Sequence, residues 1–212
     1  VLKYLKKDDV EQEYSKPYLL DIPMYLNFFL LSIIVFSSVF VLSDAAPGVF
    51  VSGISNYFNT ELLEARASIN YIDSISLVAL TGLFIGIMGT VPGHELAHRK
   101  KNKFDMFMGN WLLALSWDCA FAVEHVHGHH KNVGLTSDPA TAKRGENIYK
   151  FIFKATIKEQ VDAWKIEMNH SKKRGRSIWS LKNRIMVGYF RSIVITTISF
   201  LIGGMKGVFI YL

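Results

Sequence analysis

From Ile22 to Ser43 the chain runs for 22 residues without a charge (IPMYLNFFLLSIIVFSSVFVLS), between Asp21 and Asp44. As a helix rising 1.5 Å per residue, this run covers about 33 Å, enough for a bilayer hydrocarbon core of roughly 30 Å. A membrane span fits that length, and the competing reading is a buried helix of a soluble protein. A second uncharged run, Ser74 to Gly93, has 20 residues and leads straight into a pair of histidines. A third, Ile185 to Met205, is broken only by Arg191, whose long side chain can snorkel to the surface from near one end. Half of the 212 residues are apolar and the mean hydropathy is +0.21, above the usual range for a soluble globule. These runs predict an all-α integral-membrane helical bundle, a single domain over 1–212 with spans at 22–43, 74–93 and 185–205.

Basic residues orient such a bundle, because cytoplasmic loops carry the excess of Lys and Arg. Residues 44–73 hold only Arg66, whereas residues 1–17 hold four lysines, Arg99 to Lys103 holds four basic residues and residues 131–184 hold thirteen. The histidines therefore face the cytoplasm. The stretch Phe104 to Val123 then poses a constraint, because a full crossing there would put the two histidine groups on opposite sides of the membrane. Asp105 and Asp118 lie within it, and the expected geometry is a helical excursion that does not span. Further on, Phe153, Ile157, Val161, Trp164 and Met168 form one helical stripe flanked by lysines. That helix suits either the membrane interface or a cytoplasmic cap. Ser137-Asp138-Pro139 reads as a helix cap followed by proline at a first helical position.

The single Cys119 excludes an internal disulfide and any Cys-rich zinc module, so a metal here would take nitrogen and oxygen ligands. His94 and His98 stand one helical turn apart, and His125, His129 and His130 follow at i, i+4 and i+5. Five imidazoles at these spacings, at the cytoplasmic ends of apolar segments, point to metal ligation, and their number favours two metals over one. Imidazole suits Zn, Cu, Fe and Ni, so ligand type alone does not name the metal. His127 falls outside both spacings and reads as a supporting or surface residue; His170, in a basic stretch, reads as solvated. Glu95 and Glu124 adjoin ligand histidines and are either carboxylates that orient them or solvated charges. His94-Glu95-x-x-His98 also satisfies the H-E-x-x-H pattern of zinc proteases, which would leave the second histidine group without a task.

At these residues the chain resembles the membrane-bound fatty-acid desaturase and hydroxylase superfamily, and within it the alkane 1-monooxygenase branch. The resemblance is carried by His94-Glu-Leu-Ala-His98-Arg-Lys100, Glu124-His125-x-x-Gly128-His129-His130, Asp138-Pro-Ala-Thr141, Gly145-Glu-Asn-Ile-Tyr-Lys-Phe151 and Arg174-Gly-Arg-Ser-Ile-Trp-Ser180. It implies a cytoplasmic, histidine-ligated non-haem di-iron site with His94, His98, His125, His129 and His130 as iron ligands. It further implies O2 as oxidant, electrons from a rubredoxin with its reductase, and an alkane drawn from the bilayer, with no nucleic acid as partner. The implied location is a bacterial inner membrane, crossed several times. Acyl desaturation and hydroxylation of an aromatic methyl group are the alternatives within the superfamily. Trp111, Leu112 and Trp117 are candidates for lining a substrate channel or for plain packing. The basic face over 131–184, 13 basic against 5 acidic residues, either steers an acidic electron carrier or follows the positive-inside rule alone. The family's later Asn-Tyr-x-Glu-His-Tyr-Gly-Leu segment and third histidine box do not occur here. The chain, which starts at Val1 without a signal-peptide pattern, is therefore expected to be an internal piece that does not assemble a complete di-iron centre alone.

Overall fold

The computed structural model describes residues 18–43 and 62–212, together with positions 52 and 56. The four lysines of residues 1–17 and Asp44 lie outside the described residues. Among the described residues all regular structure is helical. The elements are α1 (Tyr18–Leu42), α2 (Leu62–Ala67), α3 (Tyr71–Phe84), α4 (Val91–His98), α5 (Lys103–Leu115), α6 (Phe121–Glu124), α7 (His130–Asn132), α8 (Ile148–Lys173) and α9 (Arg184–Tyr211). Two π-helical turns, Ile85–Thr90 and His125–His129, join α3 to α4 and α6 to α7.

Three of these helical stretches, Leu19–Leu42, Tyr71–His98 and Arg184–Tyr211, are long and apolar enough to cross a membrane. α1 turns Leu31, Val35 and Val39 inward, four residues apart and at most 1% exposed, against Ala114, Leu115, Ile195 and Tyr211. The α3–α4 stretch runs antiparallel to it. Asn70 caps its start by accepting from the N–H groups of Ile72 and Asp73, while Asp73 accepts from the Asn70 N–H. Ser38 and Thr81 share a 2.8 Å hydrogen bond across the pair. Pro92 explains the π turn before α4, since it has no N–H to give and its ring crowds the carbonyl one turn back.

The expected non-spanning excursion is what the chain builds between the histidine groups. Asn102 caps α5 through the N–H groups of Phe104 and Asp105, and the helix then descends beside α4. The two touch at glycines: a Cβ on Gly109 would lie 2.8 Å from Leu96 Cβ and 3.2 Å from the Gly93 carbonyl. At the bottom the Asp118 N–H bonds the Leu113 carbonyl and the Trp117 N–H that of Ala114. This is a Schellman ending, with Trp117 at φ 57° where glycine is usual. α6 then climbs back to the level of α4.

α9 is not one straight rod. Gly203 and Gly204 have non-helical backbone, Gly204 at φ 58°, ψ −151°, a region open essentially to glycine. Ser192 donates to the Ala114 carbonyl at 2.9 Å and Tyr211 to that of Leu115 at 2.9 Å. On a straight helix those two residues would stand about 28 Å apart. The chain therefore reverses at Gly203–Gly204, and Met205–Tyr211 returns along its own first part. The uninterrupted helical part is Arg184–Ile202, which starts one residue before the expected 185–205 and ends three residues short of it.

α8 packs through Ala155, Ala163 and Glu167. Phe153, Ile157, Val161 and Met168 of the expected stripe are 45–72% exposed and face outward, whereas Trp164, the fifth, packs inward on the Ala163–Ile185 cluster and stacks on Tyr189 at 6.2 Å. Asp138-Pro139 does not start a helix, contrary to expectation. Asn147 caps the next one instead, by accepting from the N–H groups of Tyr149 and Lys150, because the Asp138 carboxylate is taken up within its own loop.

Candidate metal centre

Four of the five expected histidines converge. His94 Nε2 lies 2.7 Å from His125 Nε2 and 2.9 Å from His98 Nε2, and His125 Nε2 lies 3.0 Å from His130 Nε2. Hydrogen bonding alone does not account for this geometry. Each ring nitrogen has one in-plane site, a proton or a lone pair, yet His94 and His125 each point theirs at two other nitrogens. A cation resolves the conflict. Imidazole nitrogens held about 2.0–2.1 Å from one ion at right angles are about 2.9 Å apart, the separation seen here. The donor set therefore fits a metal of the kind that imidazole selects. Burial first, and then His94, His130, His129 and His98 around it, pull His125 down to about 4, so the ring stays neutral as a ligand must.

Local winding explains why His130 joins. In an α-helix residues five apart face different ways, but the His130 N–H bonds the His125 carbonyl, an i→i−5 bond that widens the turn and stacks the two residues. Phe121, one turn before His125, lies flat against its ring at 4.7 Å and 10°, and His94 meets the same Phe121 edge-on at 5.6 Å. His129 stands apart from the four. Its Nδ1 lies 3.0 and 3.2 Å from the two Asp138 oxygens, and its ring stacks on His125 at 5.2 Å. Asp138 is fully buried and also accepts from Thr141 Oγ1 at 2.6 Å and the Ala140 N–H at 3.0 Å. Burial raises this carboxyl, but the bonds from Thr141, His129 and Ala140 together hold it below the usual carboxylate range.

The remaining candidates separate clearly. Glu95 is 55% exposed and paired with Arg99 at 3.3 Å, not with a histidine. That same Arg99 bonds Asp21 at 2.5 Å and lies 3.7 Å from Asp105, tying α1, α4 and α5 together at the histidine end. Glu124 is buried, with Oε1 lacking a hydrogen-bond partner. It occupies space that Gly128 leaves open, since a Cβ there would lie 2.3 Å from Oε1. Burial, and then nearby Glu159, push its carboxyl up to about 7. His127 faces Arg184 at 2.8 Å, and His170 lies 3.8 Å from Glu167. Leu112 is sealed core, Trp111 packs on Phe28 and Phe107, and Trp117 lines a cavity beside α1.

Residues 74–212, two thirds of the chain and all of this site, match the fatty acid desaturase family. The chain belongs to that family. Among its relatives, an alkane 1-monooxygenase of Pseudomonas putida is 35% identical over 62% of this chain and 32% of its own length. Alkane 1-monooxygenase 2 of Alcanivorax borkumensis is 30% identical over 66% of this chain and 37% of its own. The xylene/toluene monooxygenase hydroxylase component of Pseudomonas putida is 33% identical over 65% and 35%. The chain thus spans about a third of the length of these relatives. Within this desaturase-family site, sequence reasoning missed Asp138 as the partner of His129 and Phe121 as the platform under His125. Phe121 was findable by its i−4 spacing from His125; Asp138 reaches His129 through a loop that has no period.

Proposed function

We propose that this chain carries the histidine-box core of an integral-membrane non-haem di-iron monooxygenase that hydroxylates the terminal methyl of medium- or long-chain alkanes. The observation that carries the reading is the meeting of His94, His98, His125 and His130 at their Nε2 atoms, in a chain whose relatives include alkane 1-monooxygenases. His129, whose Nδ1 is held by Asp138, is the fifth proposed ligand and would offer its Nε2 to a metal. Two irons, given O2 and electrons from a rubredoxin and its reductase, supply oxygen insertion into a C–H bond.

The chain's own contribution is placement. Neutral imidazoles would offer lone pairs to the metal, and Phe121 covers one face of the His125 ring. An alkane is already concentrated among lipid tails, and a 320 Å³ cavity lined by Val35, Val39, Val78, Ile85, Leu115 and Trp117 offers it apolar walls. The bilayer reading is supported by outward-facing Phe29, Ile33, Ile72, Leu83, Phe190 and Leu201 on the three long helices. The proposed setting is a bacterial inner membrane with the histidines on the cytoplasmic side.

The xylene/toluene relative supports a second reading, hydroxylation of an aromatic methyl group. Metal analysis of a full-length chain carrying this core, with O2-dependent turnover of dodecane and xylene supplied with rubredoxin and its reductase, separates these readings, and these residues alone are expected to show neither two irons nor turnover. Iron in excess of zinc, a 1-alkanol product, and loss of both in His125→Ala are expected. Product from xylene alone would move the assignment to the second reading. Zinc with peptide cleavage that Glu95→Gln abolishes would sink both.

A further inference from the structure

Lys100, Lys182, Arg184 and Arg191 line one cavity of 280 Å³, and no carboxylate lines it. Lys100 follows the first histidine pair. Lys182 and Arg184 stand where α9 begins, and Arg191 lies two turns further along α9. Only Arg184 is neutralised: its Nε lies 2.6 Å from the buried Glu167. Among the described residues Lys100, Lys182 and Arg191 have no acidic partner. Arg191 is half-buried, its guanidinium 5.9 Å from the centre of the Trp111 ring. A charge excess on outer loops is ordinary at a membrane surface. Three unpaired cations turned into one concavity, one of them inside a crossing helix, are not explained that way.

We propose that this cavity binds the phosphodiester headgroup of an anionic phospholipid from the leaflet next to the histidines. Charge complementarity is the first argument, since basic pockets between crossing helices recognise such headgroups. Depth is the second: the cavity opens where α4 ends and α9 starts, the level of the headgroups. Arg191 lies about 10 Å along α9 from Arg184, below the phosphate plane, and Val123 and Val187 supply apolar wall for the first acyl carbons. The third argument is size. A 280 Å³ concavity admits a phosphoglycerol group, whereas an acidic carrier protein would need its charges met on an exposed face. The proposal rests on the bilayer reading but not on the iron reading.

The test is retention of lipid by the purified protein through delipidation, read by native mass spectrometry, with phosphatidylglycerol and phosphatidylcholine offered in equal amounts. One phosphatidylglycerol is expected to survive. Retention should fall about fivefold for each charge removed in Arg191→Gln and Lys182→Gln. Arg191→Lys, which keeps the charge, and Lys150→Gln, on the outer side of α8, should retain it. Equal retention of both lipids, equal retention by the Gln variants, or displacement by millimolar inorganic phosphate would overturn the proposal. Thiol labelling from each side of the membrane tests the bilayer reading separately, so the two failures are distinguishable.

Discussion

A carboxylate can select which nitrogen of an imidazole is free. Asp138, buried and held ionised by Thr141 and the Ala140 N–H, requires His129 to keep its proton on Nδ1, and the lone pair then sits on Nε2. Asp138→Asn keeps the shape but presents an amide that also donates, so the favoured tautomer is lost. Metal titration of the metal-free protein should show affinity lower by about 10–100-fold, and unchanged affinity would remove Asp138 from the site. Glu124 gives a second residue-level prediction. Gly128→Ala gains helix propensity yet drives a methyl into the carboxylate, and should cost about 1–3 kcal/mol in thermal or denaturant unfolding. Glu124→Ala added to it should recover part of that loss, because the two share one contact. The histidine spacings were legible in the sequence, and they bring four rings to one point. They did not separate His129 from His130, because which of two adjacent rings turns inward depends on the π turn, and that winding leaves no periodic signature.

Among the elements, the closest approach is where α4 and α5 cross at Gly93 and Gly109. Gly109→Ala would press a methyl into Leu96 and should lower stability by about 1–3 kcal/mol, measured as a reduced unfolding temperature in detergent. An unchanged temperature would mean that the crossing relaxes freely. The charge-free runs made the long helices readable, since a stretch of that length without a charge has few alternatives. The excursion was readable for a different reason: both histidine groups had to serve one centre. The reversal at Gly203–Gly204 was not. Two adjacent glycines inside an apolar run look the same whether the helix continues or folds back, and only the contacts of Gly207 and Tyr211 decide. The stripe on α8 was correctly read as helical, but its partner was open, because periodicity shows that a face is apolar and not what covers it.

For the whole molecule, charge asymmetry and geometry agree on one arrangement, with both histidine groups at one end of the bundle and α2 at the other. Thiols introduced in place of Lys101 and Arg144 should react with a membrane-impermeant maleimide only from the cytoplasmic side, and one in place of Ala67 only from the opposite side. Cys119 is buried and should stay silent in this assay. Labelling of Lys101→Cys and Ala67→Cys from the same side would refute the topology.

The excursion between the two histidine groups also bears on how such a chain is made. α5 is 13 residues long and carries Asp105 in its first turn, so an insertion machinery that selects apolar segments long enough to cross has little reason to place it in the membrane unaided. What holds it in the fold is docking on its neighbours, through Gly109 against Gly93 and through Arg99 reaching Asp21 and Asp105. Until it docks, the second histidine group hangs on an unanchored loop. The four converging imidazoles can meet only once α5 is docked, so metal binding by them reports on that docking as well as on the ligands themselves.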